Sequence, residues 1–161
     1  MERYIKPFIE VCQLVFKAFV GIEIKAERPY FLDKVTFDGL DISGVIGLTG
    51  QARGAVVLSM HKSLALRLTS QLTGTPQTEL NEDTMDAIGE IVNIITGNAK
   101  QKLEDSFRLV ISLPTIVMGS EHTIKWPTNR TRILCIPFSV FEDEVFHLSV
   151  ALEVVKDGET W

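Results

Sequence analysis

A chain of 161 residues with 45% hydrophobic residues, 23% charged residues and a formal net charge of −5 can bury roughly 70% of the surface its unfolded form exposes, so its core needs no disulfide or metal staple. This composition excludes disorder. The balance of 21 acidic against 16 basic residues, with no run of Lys and Arg, speaks against a nucleic-acid or anionic-membrane surface, which needs clustered positive charge.

The first element is an amphipathic helix over 4–20, in which Glu10, Gln13 and Lys17 interrupt the apolar run well short of the ~20 residues a membrane span requires. Extended stretches at 22–28 and 34–37 follow. A hairpin rich in Val, Ile and Leu then covers 42–60, with Gly50 in its turn region. A helix from Lys62 to Thr73 carries Leu64, Leu68 and Leu72 on one stripe and stops at Gly74 and Pro76.

Asn81 is placed as the N-cap of a long helix running to Glu104, and Glu82 and Asp83 after it put negative charge where the helix dipole favours it. The remainder reads as strands near 107–118, 121–125, 131–140 and 144–155, with Trp126, Pro127, Thr128 and Asn129 in a loop. Asn129-Arg130-Thr131 fits a glycosylation sequon, a tripeptide common by chance. Cys12 and Cys135 lie far apart in apolar surroundings, as buried thiols in a reducing compartment do. A cytoplasmic protein with one domain over 1–161 is expected.

The order helix, strands, middle helix, helix, strands invites a comparison of the two long helices. Lys6, Glu10, Gln13 and Lys17 share one narrow arc of the first; Asp86, Glu90, Asn93 and Gly97 share one of the second, at a constant offset in numbering. Either the chain is internally duplicated or two ordinary amphipathic helices space polar residues alike.

On the second helix, Ala87, Ile88, Ile91, Val92, Ile94, Ile95, Ala99 and Leu103 form an apolar arc for burial against a sheet. Asp86, Glu90, Asn93, Gly97, Lys100 and Gln101 are left facing out. Glu90 and Asn93 are three residues apart and Asp86 is one turn earlier, so a carboxylate and a carboxamide project together. Gly97 is a helix-interior glycine, which costs about 1 kcal/mol relative to Ala. On an outward face it either opens room for a partner's close approach or is a glycine tolerated near a fraying helix end.

Other chemistries lack their residues. Gly47, Gly50 and Gly54 fit neither a dinucleotide fingerprint nor a phosphate-binding loop and read as hairpin glycines. His61, His122 and His147 are isolated, with no partner at metal-ligand spacing. Cys135 sits in an apolar strand, and no Gly-x-Ser-x-Gly elbow occurs. Phe8, Phe16 and Phe19 are expected in the core or an interface.

The pattern Asp86-x-x-x-Glu90-x-x-Asn93, with Pro114 after 20 intervening residues, resembles the signature of the CheC/CheX/FliY family of chemotaxis phosphatases. The run from Gly89 to Ala99 is similar to its form there, and the opening Tyr4-Ile5-Lys6-Pro7-Phe8-Ile9 is similar to the CheX branch in particular. The spacing to Pro114 is slightly shorter than the family pattern. In the first helix Lys6 stands where the acid would be, with Glu10 and Gln13 after it, so the second site of CheC proteins is absent or degenerate.

The resemblance implies an α+β fold of long helices on an antiparallel sheet with two pseudo-symmetric halves, and a homodimer. It also implies a protein substrate, the phosphorylated aspartate of a CheY-like response regulator in chemotaxis or related two-component signalling. Asn93 is then expected to hold the attacking water, since an amide both donates and accepts hydrogen bonds. Glu90 is paired with it in the catalytic constellation and docks on a lysine of the regulator; Asp86 serves recognition or the organisation of the helix, and Gly97 lets the partner's backbone close over it. No cofactor or metal is expected on this chain, and Mg²⁺ is expected on the partner. The rival expectation is a non-catalytic regulator-binding or flagellar-switch adaptor with the same face.

Overall fold

In the computed structural model, residues 2–126 and 131–155 are described. The amphipathic opening forms α1, Glu2–Val15, whose last turn widens into a π-helical turn over Phe16–Val20. Gly21, at φ 81°, ends it by donating its N–H to the Phe16 carbonyl at 2.8 Å, a left-handed position that suits glycine. Two short strands follow, β1 (Lys25–Ala26) and β2 (Tyr30–Phe31), then the long hairpin β3 (Thr36–Gly50) and β4 (Ala52–Met60), with Gly50 at φ 105° in its turn.

Helix α2 spans Lys62–Thr73 as its leucine stripe and Gly74 dictate, and Asp41 of β3 caps it by accepting the Lys62 N–H at 2.7 Å. Helix α3 spans Glu82–Leu103, opened by a capping box in which Asn81 accepts the Thr84 N–H at 3.1 Å and Thr84 Oγ1 accepts the Asn81 N–H at 3.3 Å. The last strands are β5 (Leu109–Ile111), β6 (Thr115–Lys125), β7 (Ile133–Val140) and β8 (Glu144–Val154).

The eight strands among the described residues join one antiparallel sheet in the order β1-β7-β8-β4-β3-β5, with β2 also on β7 and β6 also on β3. Hairpins β3–β4 and β7–β8 meet at its centre, where Ala55 pairs with Ala151. The outer strands are exchanged: β1 and β2, from the first half of the chain, flank β7, while β5 and β6, from the second, flank β3. This plan is palindromic, and α1 and α3 occupy matching places in it.

Alternation along the strands sends Ile42, Ile46, Val56, Leu58, Ile136, Phe138, Phe146 and Leu148 into the core shared with the helices. Phe146 stacks between Phe16 and Phe138, with centroids 4.8 and 5.1 Å away. Close approach of α3 to the sheet depends on Gly44, where a Cβ would meet Val92 Cγ1 at 2.9 Å.

The opposite face is partly covered too. The first part of β3 and the last part of β6 form a ribbon whose register slips around Leu40, with Leu40 at φ 58° and Glu121 at φ 54°. Phe37 and Ile124 of the ribbon join a second apolar cluster with Val57, Ile133, Ala151 and Trp126. At the bend His122 packs so tightly on Gly39 that a Cβ there would run into its ring. Its Nε2 lies 2.9 Å from Ser43 Oγ, itself 2.9 Å from Ser59 Oγ.

Two strand expectations are corrected by this geometry. The stretch 107–118 is not one strand: pairing stops after Ile111 and resumes at Thr115, around Pro114, which has no N–H for a ladder. Strands then run unbroken through Gly119 and Glu121, because the bulge absorbs the irregularity. The loop residues 127–129 and most of the Asn129 sequon lie outside the described residues. Among the described residues, no helix is long and apolar enough to cross a membrane.

Candidate functional site

The polar stripe of α3 is set by what its other faces bury. Ala87, Ile88, Ile91, Val92, Ile95, Ala99 and Leu103 are buried, as are Thr84, Gly89 and Thr96, which leaves a narrow outward arc. Asp86 and Glu90 lie on it, exposed, and Asn93 and Gly97 are half-buried. Asn93 thus stands less clear of the molecule than its helical position alone predicts. The reason lies one turn earlier: a Cβ on Gly89 would sit 3.7 Å from Pro114 Cγ and 3.5 Å from Ile116 Cδ1, so the connection from β5 to β6 flanks the helix on Asn93's side. The fold thereby brings Pro114 beside Gly89, the residue before Glu90.

No described residue makes a hydrogen bond or ion pair with the side chain of Asp86, Glu90 or Asn93; the ion pairs of the helix lie toward its C-terminal end, Lys100 to Glu104 at 3.4 Å and Lys102 to Glu10 at 3.4 Å. Two carboxylates and an amide with open bonding capacity are therefore presented together. Gly97 continues the arc, and nothing lies within 4 Å of where its Cβ would stand. The chemistry available here is recognition of a cation by Glu90 and Asp86, and donation and acceptance by one amide.

The matching face of α1 is occupied by charges from α1 itself and from α3. Glu10 is held by Lys6 at 3.7 Å and by Lys102 at 3.4 Å, and Gln13 replaces the Asn. These exposed pairs contribute little to stability, but they neutralise the carboxylate that this face would otherwise offer.

Of the remaining candidates, the cysteines are buried in the core and Phe19 lies beside the stripe. Burial pushes the thiols of both Cys12 and Cys135 up from their ordinary range, which suits packing rather than nucleophilic attack. Among the described residues, no three His, Cys, Asp or Glu side chains are grouped to hold a metal ion. Phe8 and Phe16 are buried, whereas Phe19 is 42% exposed. It lines an open groove of about 440 Å³ with Leu72 and Ala87, along the Asp83, Asp86 and Glu90 side of α3. Hydrophobic pattern alone leaves core and interface open for all three phenylalanines; the signal that separates Phe19 is its place at the end of the helix before Gly21.

The family model described as "Chemotaxis phosphatase CheX" matches residues 42–139, which contain α3, Glu90, Asn93 and Pro114. The chain belongs to the CheX family. It is 35% identical over 152 residues to a Thermotoga maritima protein named CheY-P phosphatase CheX, covering 92% of this chain and 96% of that one. A crystal structure of a putative chemotaxis protein from Desulfovibrio vulgaris Hildenborough, 32% identical, superposes with a TM-score of 0.85 over 94% of this chain and 97% of the other. The CheX of a CheX-CheY-BeF3-Mg+2 complex from Borrelia burgdorferi has the same fold, with a TM-score of 0.77 at 23% identity over 93% of this chain and 97% of that one. The α+β fold expected of a CheX relative is thus the fold observed.

Proposed function

We propose that this chain dephosphorylates the phospho-aspartate of a CheY-like response regulator, with Asn93 positioning the attacking water. The observation that carries the reading is the pairing, on one outward arc of α3, of the Glu90 carboxylate with the Asn93 amide, both without partners among the described residues. The activity named for the Thermotoga maritima relative and the partner in the Borrelia burgdorferi complex support the same substrate class.

An acyl phosphate needs a placed water and charge stabilisation more than covalent help. Mg²⁺ held by the response regulator supplies the charge stabilisation. Asn93 accepts from and donates to groups around the reacting centre, holding the water in line with phosphorus. Glu90, being negative, keeps to the side of the phosphoryl oxygens and pairs with a lysine of the regulator. Asp86 extends that recognition, and Gly97 lets the partner backbone approach. The protein acts in the cytoplasm as a homodimer, for which the exposed sheet edges offer a route.

The test is the decay of a phosphorylated receiver domain in Mg²⁺ with substoichiometric amounts of this protein. Wild-type protein should accelerate decay catalytically. Asn93→Ala should lose about 10²–10³-fold of that rate, or about 2.7–4 kcal/mol of barrier, with an unchanged melting temperature. A non-catalytic adaptor would bind and leave decay unchanged or slower; that result with every cognate regulator overturns the enzyme reading.

A further inference from the structure

We infer that the groove beside the catalytic stripe is the specificity surface for the regulator, with Phe19 as its apolar anchor. This inference rests on the proposed function and names how that site selects its partner. The occupant it takes is a surface element of the receiver domain that carries a lysine or arginine next to an apolar side chain.

Three observations carry it. First, the groove is two-sided: Phe19, Leu72 and Ala87 supply apolar surface, and Asp83, Asp86 and Glu90 an acidic wall. None of these three carboxylates is engaged by a described cation, whereas Glu10 on the matching face of α1 is held by two lysines. The wall is complementary to a basic partner and carries no internal neutralisation.

Second, the wall is continuous with the catalytic stripe. Asp83, Asp86 and Glu90 recur at helical spacing and lead directly to Asn93, so an element seated in the groove approaches the amide without crossing other surface. Third, the exposure of Phe19 is built into the backbone. Phe16 and Val20 are buried in the same five-residue π turn, while Phe19 is 42% exposed. The wider turn, with its i→i+5 hydrogen bond from Gly21 to Phe16, carries Phe19 further from the buried side than an α turn would. Such turns are frequent at functional sites, and large aromatic side chains are favoured interface anchors.

The experiment uses a receiver domain that the full-length wild-type protein recognises, in its phosphorylated form for turnover and its beryllofluoride-activated form for binding. Phe19→Ala should raise both KM and Kd roughly tenfold or more while kcat stays within about twofold. Asp83→Asn should raise Kd several-fold and flatten its dependence on ionic strength. Leu14→Ala removes another exposed apolar side chain, 59% accessible and outside the groove, and should leave KM and kcat as in wild type. Unchanged KM and Kd in Phe19→Ala, or the same change in Leu14→Ala, overturns the groove. If wild-type protein binds through Phe19 but does not hydrolyse, the groove stands and the phosphatase reading falls. If it hydrolyses and Phe19→Ala behaves as wild type, the reverse holds.

Discussion

Asn93 and Glu90 differ in what each can do for an acyl phosphate, and their tests differ accordingly. An amide at the reacting centre acts on the barrier, whereas a carboxylate set to one side acts on docking. Glu90→Gln should therefore raise the Kd for an activated receiver domain by about tenfold, in the range of a lost hydrogen-bonded charge pair, with little effect on the rate at saturation; calorimetric titration with parallel turnover measurement separates the two. Equal affinity would remove Glu90 from docking. The stripe itself was legible in the sequence, because spacing fixes which side chains share an arc of a helix. The half-burial of Asn93 was not: Pro114 and Ile116 reach the helix one turn earlier, at Gly89, an approach made only when α3 packs beside β6. For Phe19 the sequence left core and interface open, because a hydrophobic residue near the end of an apolar arc suits either until the wider turn is seen.

Among the elements, α2 and α3 were the most legible, because their ends carry their own chemistry in Asn81 and Gly74. The strands were less so. Pro114 and the register slip around Leu40 redraw two predicted strands into β5 and a continuous, bent β6. Nothing local announces that the ribbon of β3 and β6 covers the back of the sheet, because Phe37 and Ile124 find Val57, Ile133 and Ala151 only through tertiary folding. The bend depends on the missing side chain of Gly39. Gly39→Ala should displace the His122 ring and loosen its bond to Ser43, costing about 1–3 kcal/mol as overpacking does. Urea denaturation measures this, and stability equal to wild type would show that the ribbon accommodates a methyl group there.

At the scale of the molecule, the exchanged outer strands and matched helices make the two halves near-copies in plan, yet their outward faces have diverged. Lys6 and Lys102 hold Glu10, while Glu90 remains open. One activated receiver domain should therefore bind per chain; a titration giving two would mean that the α1 face also works. The sequence offered this asymmetry through Lys6 and Gln13, but the role of Lys102, nearly a hundred residues away, required the packing of α1 against α3.

Gly44 has a further consequence. Val92 fills the place where a side chain on β3 would stand, so α3 is keyed to the sheet like a shaft in a slot. With 3.6 residues per turn, a roll of even one position would bring Val92 or Ile94 to the front in place of the amide. The key prevents that roll before any partner arrives, so the aim of the helix is fixed during folding and does not have to be taken from the energy of the encounter.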